Sequence, residues 1–94
     1  MKPEDYEKPF GGLTMNIGQA TRLRIEELCR ENDMTVNKLS TICGITQSTL
    51  QNIVSGRNNS TTISTIKKIC DGLEITIQDF FASELFVNLE QEIK

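Results

Sequence analysis

Gly44 stands between two short segments of helical periodicity, "VNKLSTIC" and "QSTLQNIV", each opened by a threonine, Thr35 and Thr46. No other feature of the chain restricts its fold as much. In the first segment Val36, Leu39, Ser40 and Cys43 line one side; in the second Leu50, Ile53 and Val54 do the same. A threonine hydroxyl accepts a hydrogen bond from the open amides of a helix's first turn, so Thr35 and Thr46 mark two helix starts. A glycine just past a helix end adopts positive φ at little cost and reverses the chain sharply. Ile45 then fills the corner and Thr46 caps again at once. The stretch predicts two short helices meeting across a tight turn.

Helical periodicity continues on both sides. Asn16 is placed to cap a first helix of about 15 residues, from Ile17 to near Asn32. Thr21, Ile25, Leu28, Cys29 and Asn32 share one face of it, with Arg22, Arg24, Glu26, Glu27 and Glu31 elsewhere. Gly56 closes the third helix, and "RNNS" is a loop by composition. "TTISTIKKICDGL" predicts a fourth helix with Ile63, Ile66, Ile69, Cys70 and Leu73 inward. Thr76, three residues before Asp79, makes a capping-box pattern for a short fifth helix, "IQDFFA", whose Phe80 or Phe81 seals the core. No segment alternates with the period of a strand. At 94 residues and 37% hydrophobic, there is apolar material for one core and not for two. The expectation is an all-α, five-helix domain over residues 17–82.

The flanks read differently. Residues 1–16 hold both prolines, Pro3 and Pro9, and the pair Gly11-Gly12, the composition of a flexible N-terminal arm. In the tail, residues 83–94, Leu85, Leu89 and Ile93 continue from Phe81 at successive i+4 steps, with Phe86 beside them. That spacing admits a sixth helix, packed on the core or paired with a second subunit.

Catalysis has no visible candidate. The chain has no histidine, which removes the commonest general base and metal ligand, and it lacks nucleophile-elbow and phosphate-cradle motifs. Cys29, Cys43 and Cys70 are far apart and without C-x-x-C spacing, so they read as small buried hydrophobes in a reducing compartment. No enzyme activity, cofactor, metal or small-molecule ligand is expected. "MKPEDYEKPFGG" lacks the apolar run of a signal peptide, and no stretch approaches the roughly 18 apolar residues of a membrane span, so a soluble cytoplasmic protein is expected.

The net charge of −3 argues against a polyanion partner until it is resolved along the chain. Between Met34 and Cys70 lie Lys38, Arg57, Lys67 and Lys68 and no Asp or Glu. Affinity for a polyanion follows the field at the contact surface more than the whole-chain total. The third helix sits inside this acid-free window. At about 100° per residue, with Gln47 at zero, Gln51, Ser55, Ser48 and Asn52 fall at roughly 40, 80, 100 and 140 degrees. Leu50, Ile53 and Val54 fall on the opposite side. An ordinary exposed helix face carries Glu and Lys, whereas this one carries amides and hydroxyls. Gln and Asn donate and accept together, which suits adenine N6 and N7 in the major groove; Ser and Thr serve either role. A solvated polar face that happens to lack charge is the plainer reading of the same residues.

The ordered pattern in "TVNKLSTICGITQSTLQNIVSGR" resembles the Cro/C1-type, lambda-repressor-like helix-turn-helix family at Leu39, Ser40, Gly44, Ile45, Thr46, Leu50, Ile53 and Gly56, and "TTISTIKKICDGLEITIQDFF" is similar to that family's fourth and fifth helices. The resemblance implies a sequence-specific regulator of transcription, a repressor by preference, that binds double-stranded DNA as a homodimer. It implies base contacts from Gln47, Ser48, Gln51 and Asn52. It further implies backbone contacts from Thr46, Thr49, Arg57 and Asn58, to which Lys38 is added. Two features depart from the family. Val36 stands where a phosphate-contacting Gln is common, and Cys29 and Val54 stand where an Arg–Glu pair is common. The competing expectation is a protein-interaction module of antitoxin-like or anti-repressor kind built on the same fold.

Overall fold

The computed structural model describes residues 15–57 and 60–93. Among the described residues five α-helices follow one another: α1 (Ile17–Glu31), α2 (Val36–Cys43), α3 (Gln47–Val54), α4 (Ile63–Leu73) and α5 (Ile77–Phe81). The flexible arm expected over 1–16 lies outside the described residues except for Met15 and Asn16.

Every helix starts at a side chain that caps it. Asn16, Thr35, Thr46, Thr62 and Thr76 each accept a hydrogen bond from the amide three residues on, at 2.8, 3.1, 3.3, 3.2 and 3.0 Å respectively. Each such cap contributes about 1 kcal/mol over alanine. At Asn16 and Thr76 the box closes in both directions, through Gln19 and Asp79. The Thr76 amide, and secondarily its side chain, hold the Asp79 carboxyl below its ordinary pKa.

Three helices also end alike. Asp33, Gly44 and Glu74 have φ of 53°, 68° and 58°. In each case the next residue returns its N–H to a carbonyl five positions back: Met34 to Cys29, Ile45 to Ser40 and Ile75 to Cys70, at 2.9, 3.0 and 2.9 Å. Met34, Ile45 and Ile75 then pack against the core. This is the Schellman arrangement with its apolar plug.

The core takes one fully buried large side chain from each helix: Ile25, Leu39, Leu50, Ile69 and Phe80. Cys29, Cys43 and Cys70 lie among them as free thiols. Gly72 lets α4 approach α2: a Cβ there would meet the Cys43 sulfur at 2.5 Å.

Several sequence-based expectations are corrected. Arg24 is not on the charged outer face of α1 but buried, its guanidinium donating to the carbonyls of Asp79 and Phe80 at the end of α5. Asn32 is exposed, and its side-chain amide donates back to the Leu28 carbonyl as α1 ends. Ile63 is 69% exposed, because as the first residue of α4 it projects beyond the neighbouring helices. The tail does not form a sixth α-helix among the described residues. Glu84–Phe86 is a single 3-10 turn opened by Ser83, and the chain then extends so that Leu89 bridges to Met15, with the Glu90 amide donating to the Met15 carbonyl at 2.9 Å. A helix this short gains little on its own. The 3-10 turn instead sets Phe86 edge-to-face against Phe81, ring centroids 4.8 Å apart, near Phe80. Among the described residues, no helix is long and apolar enough to cross a membrane.

Candidate nucleic-acid interface

Leu50 and Ile53 are buried and Val54 packs beside them, which fixes α3 by one side. Cys29, from the position where the family often has Arg, belongs to the same apolar cluster, and Val36 also packs against it rather than facing outward as a polar clamp. Fixing that side turns the other out: Gln47, Ser48, Thr49, Gln51, Asn52 and Ser55 are all exposed. The amide and hydroxyl side chains singled out in the sequence therefore form one face. Lys38 and Arg57 are exposed as well, whereas Asn58 lies outside the described residues.

The threonines at the start of α3 are partly committed. The Thr46 hydroxyl accepts from the Thr49 amide and donates to the Thr49 hydroxyl oxygen at 2.7 Å, which leaves the Thr49 hydroxyl proton free to donate elsewhere. Helices α2, α3 and α4 all open without an acidic residue in the first turn, so the positive ends of their dipoles are uncompensated by protein charge. Lys67, inside the acid-free window of the sequence, is ion-paired with Asp71 just beyond that window, whereas both partners remain exposed.

Sequence reasoning missed Asn37. It sits near the start of α2, and its Oδ1 accepts a hydrogen bond from Gln51 Nε2 at 3.3 Å. Nothing in the local pattern marks it, because the two amides are brought together only by the angle at Gly44.

The three thiols are buried and unpaired with one another. Burial, with a smaller contribution from the neighbouring cysteines, pushes Cys43 up to about 11, and burial likewise raises Cys29 and Cys70. Protonated thiols are poor nucleophiles. Among the described residues, no group of three or more His, Cys, Asp or Glu is arranged around a point where a metal would sit.

Residues 24–84 match the family model of the Cro/C1-type HTH DNA-binding domain. The chain is 33% identical over 69 residues to the SPbeta prophage-derived uncharacterized HTH-type transcriptional regulator YopS of Bacillus subtilis strain 168, an alignment spanning 73% of this chain and 89% of that protein. It is also similar to the crystal structure of the prophage Lp1 protein 11, with a TM-score of 0.67 and 33% identity over 74% of this chain and 92% of that one.

Proposed function

The chain belongs to the Cro/C1-type helix-turn-helix family of DNA-binding transcriptional regulators, and from that premise we propose that it is a sequence-specific repressor whose α3 enters the major groove. Gln47, Ser48, Gln51 and Asn52 read base edges. Thr46, Thr49, Arg57, Asn58 and Lys38 hold the phosphate backbone, aided by the amides that open α2 and α4. Bound across a promoter, it acts by occlusion, in the cytoplasm.

The observation that carries this reading is the division of α3 into two sides. Leu50 and Ile53 seat it in the core, and every side chain it turns outward is a neutral donor or acceptor. Acids there would repel phosphate, and lysines would bind all sequences alike. Without them, discrimination rests on hydrogen-bond pattern.

One helix reads few bases, so the working form is a two-fold dimer that presents two α3 helices about 34–36 Å apart. Exposed apolar residues support a second copy: Ile63, Ile17, Val87 and Ile93. The first two border a groove that also reaches Phe81. The reading unit spans residues 17–82, and 83–94 forms the edge available for pairing.

Site selection from a random duplex pool at stated salt is the test. A palindromic motif is expected, with steep loss of affinity as salt rises. Gln47→Ala should cost about 1–3 kcal/mol on the selected site and little on random DNA. Binding without a salt slope and indifferent to Gln47→Ala would place the partner among proteins instead.

A further inference from the structure

We propose that Asn37 sets the base preference of Gln51, making the residue pair, rather than the glutamine alone, the reading element at one base pair; this rests on the assignment of α3 as the reading helix. Gln51 Nε2 donates to Asn37 Oδ1 at 3.3 Å, across the turn between α2 and α3. Among the described residues the other three base readers, Gln47, Ser48 and Asn52, have no side-chain hydrogen bond of this kind, so Gln51 alone is held from a second helix. The main chain at Asn37 is itself anchored: its backbone carbonyl oxygen accepts from Ser40 Oγ at 2.7 Å and from Thr41 Oγ1 at 3.1 Å.

The chemistry follows from counting donors. A free glutamine carboxamide has two N–H groups and one oxygen with two lone pairs. Guanine shows two acceptors in the major groove, N7 and O6, and a carboxamide meets both only by giving both N–H groups. Adenine shows an acceptor and a donor, N7 and N6, and needs one N–H and the oxygen. With one N–H of Gln51 occupied by Asn37, one N–H and the oxygen remain. The pair therefore presents the complement of adenine and lacks the complement of guanine. It also orders a long side chain before DNA arrives, which lowers the entropy lost on binding.

The experiment is selection from a random duplex pool with the full chain and with Asn37→Ala, Asn37→Asp and Gln51→Ala, each first checked for an unchanged thermal melt. Wild type should select adenine at one position, and Gln51→Ala should lose that preference. Asn37→Ala frees the second N–H, so the ratio of adenine to guanine at that position should fall by about tenfold, the order of one base contact, with the rest of the motif intact. Asn37→Asp keeps the accepting oxygen; it should keep the adenine preference while weakening binding to every sequence by charge repulsion. A motif that depends on Gln51 but keeps its adenine-to-guanine ratio in Asn37→Ala overturns the inference alone. So does an equal loss of preference in Asn37→Ala and Asn37→Asp, or a motif indifferent to Gln51→Ala. No motif from the wild-type protein overturns the assignment of α3 itself.

Discussion

Arg24 on α1 donates from Nε to the carbonyl oxygen of Phe80 at 2.6 Å, fastening the first helix to the last. Its Nη2 donates to the Asp79 carbonyl at 2.8 Å and its Nη1 to Glu27 Oε1 at 2.5 Å, so a cation that is 7% exposed is satisfied on each nitrogen. Helix C-termini leave carbonyls open and favour positive charge; here the guanidinium supplies both the donors and the charge to α5.

Replacing Arg24 by Met keeps most of the apolar stem and removes every donor. The Phe80 carbonyl is left open, while the Asp79 carbonyl keeps the Ala82 amide and Glu27 keeps the Ser83 hydroxyl but each loses the charged donor, and a loss of about 2–4 kcal/mol is expected from chemical denaturation. Arg24→Lys, which cannot bond in three directions, should recover only part of it.

Gly72 and Cys43 form a second tight point. The Cβ introduced by Gly72→Ala would meet the Cys43 sulfur at 2.5 Å and the Ile42 carbonyl oxygen at 3.2 Å. Forcing α2 and α4 apart should cost about 1–3 kcal/mol. Because the sulfur is the nearest obstacle, the double variant with Cys43→Ala should be less destabilised than the sum of the single variants, as measured by a double-mutant cycle in denaturant.

The three Schellman ends differ in residue type, and their stabilities should respond accordingly. Glu74 pays the steric penalty of φ 58° with a full side chain. Glu74→Gly should raise stability by about 1 kcal/mol, read as a higher melting temperature. Gly44→Ala should lower it by a similar amount through backbone strain alone, since no atom lies within 4 Å of the added Cβ.

At alkaline pH the buried thiols should govern stability. The Cys43 pKa is raised from 9.0 to about 11 by burial, so the unfolded chain releases this proton first. The stabilisation is complete below pH 9.0, falls as pH rises through the window up to about 11, and levels off beyond. Denaturant melts from pH 8 to 11 should show this decline, and Cys43→Ala should make it shallower. At pH 8 the folded protein should resist aqueous thiol reagents that label all three cysteines once it is unfolded.

What the sequence reveals follows the range of the interactions. Caps act over three residues, so Asn16, Thr35, Thr46 and Thr76 announce their helices, and the wheel of α3 separates Leu50 and Ile53 from Gln47 and Asn52 without knowledge of any neighbour. The Gly44 turn is visible because glycine is the usual residue there. The same turn at Asp33 and Glu74 is hidden, because those residues adopt positive φ only under pressure from the apolar plug that follows. Arg24 is misplaced by periodicity because the carbonyls it serves lie 55 and 56 residues away. The i+4 spacing of the tail points to a helix, yet Phe86 gains more by its edge-to-face contact with Phe81. Asn37 is the corresponding gap at the candidate interface: its partner is set by the angle between two helices, which no local pattern encodes.

The clasp between Met15 and Leu89 brackets all five helices, bringing the two flanks of the helical body side by side. Order along the polypeptide is then separable from order in space. Residue 89 can be spliced to residue 15 by a short linker and fresh termini opened between α3 and α4, giving a circular permutant in which each cap still meets its own first turn.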